Sequence, residues 1–179
     1  MADARNPVEI AEYDPAWPAD YEREAALIVA ALGDLLLEIE HVGSTAVPGL
    51  GAKPVIDIMA GVRAYADGER CVAPLEAMGY LYKGEADVPG RHYFRKPLDG
   101  PASYHIHMAE LGGDFWRRHL LFRDYLRAHP DAARDYYELK LRLAEEHRLD
   151  RLAYTEAKTG FIESALQKAL AWQAAVGER

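Results

Sequence analysis

The feature that most constrains this chain is an acid set inside an apolar run. Asp57 stands in the middle of Val55-Ile56-Asp57-Ile58-Met59, a segment that otherwise reads as a buried strand. An ionised carboxylate there gives up its hydration at steep cost unless a cation or hydrogen-bond donors meet it. The fold must therefore bring such groups to this strand. Just upstream lies His41-Val42-Gly43-Ser44-Thr45-Ala46-Val47-Pro48-Gly49-Leu50-Gly51-Ala52-Lys53-Pro54. Gly43 after a strand lets the backbone approach a ligand closely, and Ser44 and Thr45 offer amide and hydroxyl donors suited to phosphate oxygens. The bland reading of Gly-Ser-Thr is a simple turn. Asp57 is what tilts the balance toward a ligand.

Around this block the pattern predicts a mixed α+β fold. Residues 8–13 alternate apolar and polar as a half-buried strand does, and Asp14-Pro15 breaks the run. Helical spacing follows over residues 19–32, with Gly33 as the stop. Strands are expected at 35–42 and 55–62, joined by the glycine-rich loop 43–53. A short helix at 70–78, interrupted near its start by Pro74 and ended by Gly79, leads to strands at 80–83, 91–95 and 103–108. Beyond Gly113 three helices are expected, at 115–128, 131–147 and 152–176, with Pro130 and Asp150 where caps would fall. At 179 residues, one domain spanning 1–179 is the expectation.

Side chains alternate along a strand, so Tyr104-His105-Ile106-His107-Met108 puts His105 and His107 on one face. Two imidazoles so placed can share a metal; equally, one can bond a backbone carbonyl while the other is exposed. His41 is expected to support the same neighbourhood from behind or to pack as a plain buried histidine. Arg91, Tyr93 and Arg95 share a face that would suit an anion, although basic side chains beside Pro97 also protect a solvated edge strand. Lys53, at the end of the loop, can reach a phosphate as a point charge. Tyr136 with Lys140, and Tyr154 with Lys158, are each four residues apart and so share a helix face. Each pair either presents a ring and a cation to a common cleft or is ordinary helix surface.

These residues carry a resemblance. The block from His41 to Leu50, with Lys53-Pro54 and Ile56-Asp57-Ile58, is similar to the characteristic block of the GrpB-like family, a branch of the polymerase-β-like nucleotidyltransferase superfamily. The likeness continues through Tyr13-Asp14-Pro15-Ala16-Trp17-Pro18, the 104–108 strand, Phe122-Arg123-Asp124-Tyr125-Leu126-Arg127, and the tyrosines and lysines of the tail. It implies a nucleotidyltransferase-like mixed sheet flanked by helices, with a C-terminal helical tail. It further implies a transferase in which Asp57 is catalytic and, with His105 and His107, binds a divalent ion (magnesium, manganese or zinc). Gly43, Ser44, Thr45, Lys53, Arg91, Arg95, Lys140 and Lys158 would hold a nucleotide or another phosphorylated small molecule. Active members of the superfamily carry two acids separated by one residue on this strand; here Val55 and Met59 stand two away from Asp57. That departure leaves two further readings open: a binding module without two-metal chemistry, and a His/Asp metalloenzyme of another reaction type.

Charge narrows the partners. With 29 acidic and 21 basic residues the formal charge is −8, which disfavours nucleic acid and anionic membrane surfaces. The single cysteine, Cys71, excludes an intramolecular disulfide and any cysteine-rich metal site. No apolar leader or membrane span is legible, and a cytoplasmic location is expected.

Overall fold

The computed structural model describes residues 7–96 and 103–177; the N-terminal hexapeptide, Pro97 and the last two residues, on which parts of the sequence reading fall, lie outside the described residues. Five strands form one mixed sheet in the order β1-β2-β5-β4-β3: β1 (Glu38–Val42), β2 (Val55–Val62), β3 (Leu81–Tyr82), β4 (His92–Lys96) and β5 (Ser103–Glu110). Only β2 and β5 run parallel, with Asp57 opposite His105 and Met59 opposite His107. All other neighbours pair antiparallel. The α+β class expected from the sequence is the class observed.

The alternation of β2 sorts the two faces. Ile56, Ile58, Ala60 and Val62 point into the main core, where they meet Ile106 and Met108 of β5 and Phe94 of β4. Helix α1 (Trp17–Leu32) covers this face through Trp17, Ile28 and Leu32, and α3 (Val72–Ala77) adds Leu75, after the single turn α2 (Asp67–Arg70). On the opposite face Val42 and Met59 pack against Trp116 of α4 (Asp114–Ala128). Gly61 permits that approach, since a Cβ there would lie 3.0 Å from both Leu111 and Trp116. Helices α5 (Pro130–Glu146), α6 (Arg151–Ala157) and α7 (Thr159–Gly177) complete the tail. Tyr125, Leu126, Tyr136, Ala165 and Ala169 of the tail clasp Val47 and Leu50 of the glycine-rich loop in a second core. Among the described residues no helix is long and apolar enough to cross a membrane.

Four expectations are corrected. Residues 8–13 form no strand: Ala11 makes one bridge to Ala52, and a ladder cannot extend because Pro54, two residues on, has no N–H to give. The alternation is real, but Val8 and Ile10 spend it on Leu143, Ala144 and Tyr154 of the tail. The strand expected from 35 begins at Glu38, because Gly33–Leu35 forms a 3-10 turn in which Leu36 N–H bonds Gly33 O. The helix expected at 70–78 is two pieces broken at Cys71, as follows from Pro74, which cannot donate back to the carbonyl of Arg70. The last helix is also two, α6 and α7, meeting at Lys158 just before Thr159-Gly160, two weak helix formers.

Asp150 caps α6 as its position suggested, its Oδ1 accepting from Ala153 N–H at 2.9 Å. Since α6 delivers Tyr154 and Lys158, the cap bears on the site as well as on the fold. Asp150→Ala is expected to cost about 1 kcal/mol in urea unfolding, with Asp150→Asn close to wild type; equal midpoints for all three proteins would show that the cap contributes nothing.

Candidate functional site

Pairing β2 with β5 puts two imidazoles on one carboxylate. His107 Nε2 lies 3.1 Å and His105 Nδ1 3.5 Å from Asp57 Oδ1. Burial alone would raise the Asp57 pKa, but the two imidazoles, by hydrogen bonding and charge, outweigh it and hold the carboxyl below its usual range. The other carboxylate oxygen faces Gly43. A Cβ on residue 43 would stand 2.6 Å from Asp57 Oδ2, and Gly43 has φ +74°. Glycine is thus required there twice over.

The loop beyond Gly43 is held from below and from the side. Thr45 donates its hydroxyl to Val55 O at 3.1 Å, and His41 Nε2 lies 3.0 Å from the Thr45 hydroxyl oxygen. With its hydroxyl proton committed to Val55, Thr45 accepts from His41, which fixes the Nε2–H tautomer. His41 is buried and stacked on Tyr21 at 4.7 Å; burial pushes its pKa down to about 4, so it acts as a neutral strut. From α4, Arg123 donates to Glu40 and to His41 O at 3.0 Å, and Arg127 Nε donates to Ala46 O at 2.9 Å. In the sequence both arginines stand out only as part of the family resemblance. Arg127 grips the loop, and Arg123 grips the strand β1 that leads into it.

A cleft of about 190 Å³ opens on this loop, lined among others by Gly43, Ser44, Thr45, Lys53, Asp57, His105, Lys140 and Lys158. Eight residues singled out in the sequence thus converge on one small space, joined by Tyr136 and Tyr154. The i,i+4 pairs do share faces: the Lys140 amine lies 4.9 Å from the Tyr136 ring centroid and the Lys158 amine 4.4 Å from that of Tyr154. Lys140 is 2 % exposed and donates to Gly51 O. Burial, then the charges of Lys158 and Lys53, push its pKa down to about 7. Burial, then Lys53, lowers Lys158 to about 8, with Asp57 opposing.

Three residues fall outside the cleft. His107 bonds Asp57 from beyond the cleft's edge. Arg91 is turned away, donating to Glu85 O, Ala86 O and His107 Nδ1. Arg95 pairs in register with His105 on β4 but does not line the cavity. His119, which sequence reasoning missed, lies 6.1 Å from the His107 ring, donates to Phe115 O and is held neutral by burial, with a pKa near 4. Its signal was invisible because it comes from a helix with no pattern linking it to β5.

The donor set does not fit a two-magnesium centre. β2 supplies only Asp57, and the facing positions of β5 are imidazoles, which magnesium accepts poorly. The separations of 3.1 and 3.5 Å do bracket the ligand-to-ligand edge of about 3.3 Å in a tetrahedral zinc site. Yet among the described residues no three His, Cys, Asp or Glu side chains stand arranged to hold an ion.

A mixed sheet with a helical tail closing a lysine- and imidazole-lined cleft over a Gly-Ser loop defines the class of protein. The chain belongs to the GrpB family, whose model, described as GrpB protein, matches residues 7–168. The crystal structure of conserved protein GrpB from Enterococcus faecalis superposes with a TM-score of 0.84 at 36% identity, over 92% of this chain and 99% of that one. UPF0157 protein PA4798 of Pseudomonas aeruginosa is 45% identical over 92% of this chain, which spans 68% of its length. A protein named dephospho-CoA kinase from Mycolicibacterium paratuberculosis is 35% identical over 97% of this chain, which spans about half (49%) of it.

Two outcomes follow. Gly43→Ala is expected to destabilise by roughly 1–3 kcal/mol through φ strain plus the collision with Asp57. Gly49→Ala, with φ +79° but nothing within 4 Å, isolates the strain, and equal losses for the two would deny that the collision matters. The second outcome concerns pH. Between about 7 and 10.5 the unfolded chain keeps the Lys140 proton that the folded chain sheds, so this group makes stability rise with pH across that window. Lys140→Met should flatten that part of the profile of unfolding free energy; an unchanged slope would show that Lys140 is not depressed.

Proposed function

We propose that the cleft binds the phosphate groups of a nucleotide or similar phosphorylated small molecule, between the Gly43–Ser44–Thr45 backbone and the amines of Lys53, Lys140 and Lys158. The observation that carries this reading is the burial of Lys140 in a small cleft with two more lysines. Among the described residues no carboxylate forms an ion pair with Lys140 or Lys158, and amines crowded together away from water call for an anion. Ser44 and Tyr136 both line the cleft, and the Ser44 amide and hydroxyl are donors of the kind phosphate oxygens take.

A divalent ion, magnesium, manganese or zinc, would be held here by the Asp57 carboxylate. Such an ion neutralises charge on the phosphate. Around it this chain's own residues bind and orient: the lysines fix the phosphate, the loop amides complete its shell, and His105 steadies the carboxylate. Nucleotidyl or phosphoryl transfer is the fuller form of the proposal. Binding without transfer is the second reading, and Val55 and Met59 favour it by standing where a second acid would be needed. Because one relative is named a dephospho-CoA kinase, dephospho-CoA and coenzyme A belong among the probes beside ATP and UTP.

Titration calorimetry with pyrophosphate and these compounds, with and without manganese, tests the reading. Wild type is expected to bind at least one of them, Lys140→Met to lose at least tenfold in affinity, and Asp57→Asn to lose the manganese-dependent part alone. Because Asp57 is met by two imidazoles, Asp57→Asn should also melt below wild type without ligand. No heat with any phosphate compound, or equal affinity in Lys140→Met, would overturn the assignment.

A further inference from the structure

The guanidinium of Arg91 is spoken for on every side. Its Nε lies 3.2 Å from Glu85 O, and its Nη2 lies 3.0 Å from Glu85 O and 2.9 Å from Ala86 O. The loop that offers these carbonyls is bent to do so: Ala86 and Asp87 have φ +46° and +63°, and Glu85 Oε1 accepts from Gly90 N–H at 2.7 Å. Two consecutive left-handed residues other than glycine are costly, and such strain persists only where surrounding structure holds it. Stacking of the guanidinium 4.6 Å over the Tyr93 ring completes the clamp. What remains is Nη1, aimed at His107 Nδ1 at 3.3 Å.

An arginine N–H donates and never accepts. His107 Nδ1 must therefore present its lone pair, which puts the ring proton of the neutral imidazole on Nε2, the nitrogen 3.1 Å from Asp57 Oδ1. We infer that Arg91 is a positioning residue that locks His107 in the Nε2–H tautomer, making it a hydrogen-bond donor to Asp57 and not a metal ligand.

A metal-bound histidine needs a partner for its second ring nitrogen. When one ring nitrogen binds an ion the other carries a proton, which ordinarily goes to a carboxylate, a carbonyl or water. Here the group facing Nδ1 is a guanidinium, so metal on Nε2 would set an N–H against an N–H. Arg91 thus serves Asp57 through His107, outside the lysine-lined cleft, and the anion-binding role expected of it in the sequence gives way to this one. The tautomer stands independently of the phosphate reading. Only its consequence, that an ion on Asp57 draws no ligand from His107, rests on that reading.

Long-range proton–nitrogen NMR of the full chain at pH 8, free of metal, reads the tautomer directly, with the His107 signals identified by their loss in His107→Gln. The expected result is a protonated Nε2 and an unprotonated Nδ1, kept in Arg91→Lys and replaced by a tautomer mixture in Arg91→Met. If Arg91→Met fails to fold, the wild-type spectrum alone decides. A proton on Nδ1, or a His107 signal indifferent to Arg91→Met, overturns the inference. Zinc added alone gives a second reading: His107→Gln, which keeps a donor toward Asp57, should bind as wild type does, whether or not that is at all. Weaker zinc binding in His107→Gln, or zinc-induced shifts of His107 Nε2 in wild type diagnostic of coordination, would overturn the proposal. Absence of zinc binding in both proteins would count only against an ion on Asp57.

Discussion

The parallel pairing of β2 with β5 is the constraint on which the site depends. It sets Asp57 opposite His105 and two residues along from His107, on the same face, and so supplies the donors that an acid in an apolar strand requires. The neighbouring residues Ile56 and Ile58 are fully buried in the main core on the opposite face. A one-residue slip of this pairing would turn Asp57 into that core and expose the isoleucines, so hydrophobic burial itself enforces the register that assembles the polar cluster.

From that pairing the site grows outward in two directions. Toward the tail, the glycine-rich loop passes over Asp57, pinned by Arg127 of α4 while Arg123 holds the β1 strand before it, and Tyr136, Lys140, Tyr154 and Lys158 come in from α5 and α6 and their junction with α7. Toward β4, His107 meets Arg91, Tyr93, Phe115 and His119. The carboxylate thus separates a cationic cleft from a rigid aromatic and imidazole backing. The first side suits a ligand; the second holds the carboxylate still.

Much of this was legible beforehand because it rests on periodicity. The limits of β2 were read as they are observed, residues 55–62, and period two placed His105 and His107 together on one face; that they neighbour Asp57 was legible only through the family resemblance. The four-residue spacing of Tyr136–Lys140 and Tyr154–Lys158 gave shared helix faces, and the structure turns both faces into one cleft. What escaped reading has a common cause. Arg91 has the same sequence signature as an anion-binding arginine, but its direction is decided by the backbone carbonyls of Glu85 and Ala86, which no side-chain pattern records. Residues 8–13 alternate as a strand does, yet the available partner was a proline-bounded loop. His119 and the two arginines of α4 act through tertiary contacts alone.

On the reading proposed above, the lysine cleft, and not another part of this acidic molecule, receives phosphate. A crystal structure of the chain grown with inorganic pyrophosphate and manganese tests it most directly. Pyrophosphate density is expected between the Ser44 amide and the amines of Lys140 and Lys158, with any ion on the Asp57 carboxylate. Pyrophosphate bound repeatedly at other surfaces, with the cleft between Gly43 and Lys158 empty, would contradict it.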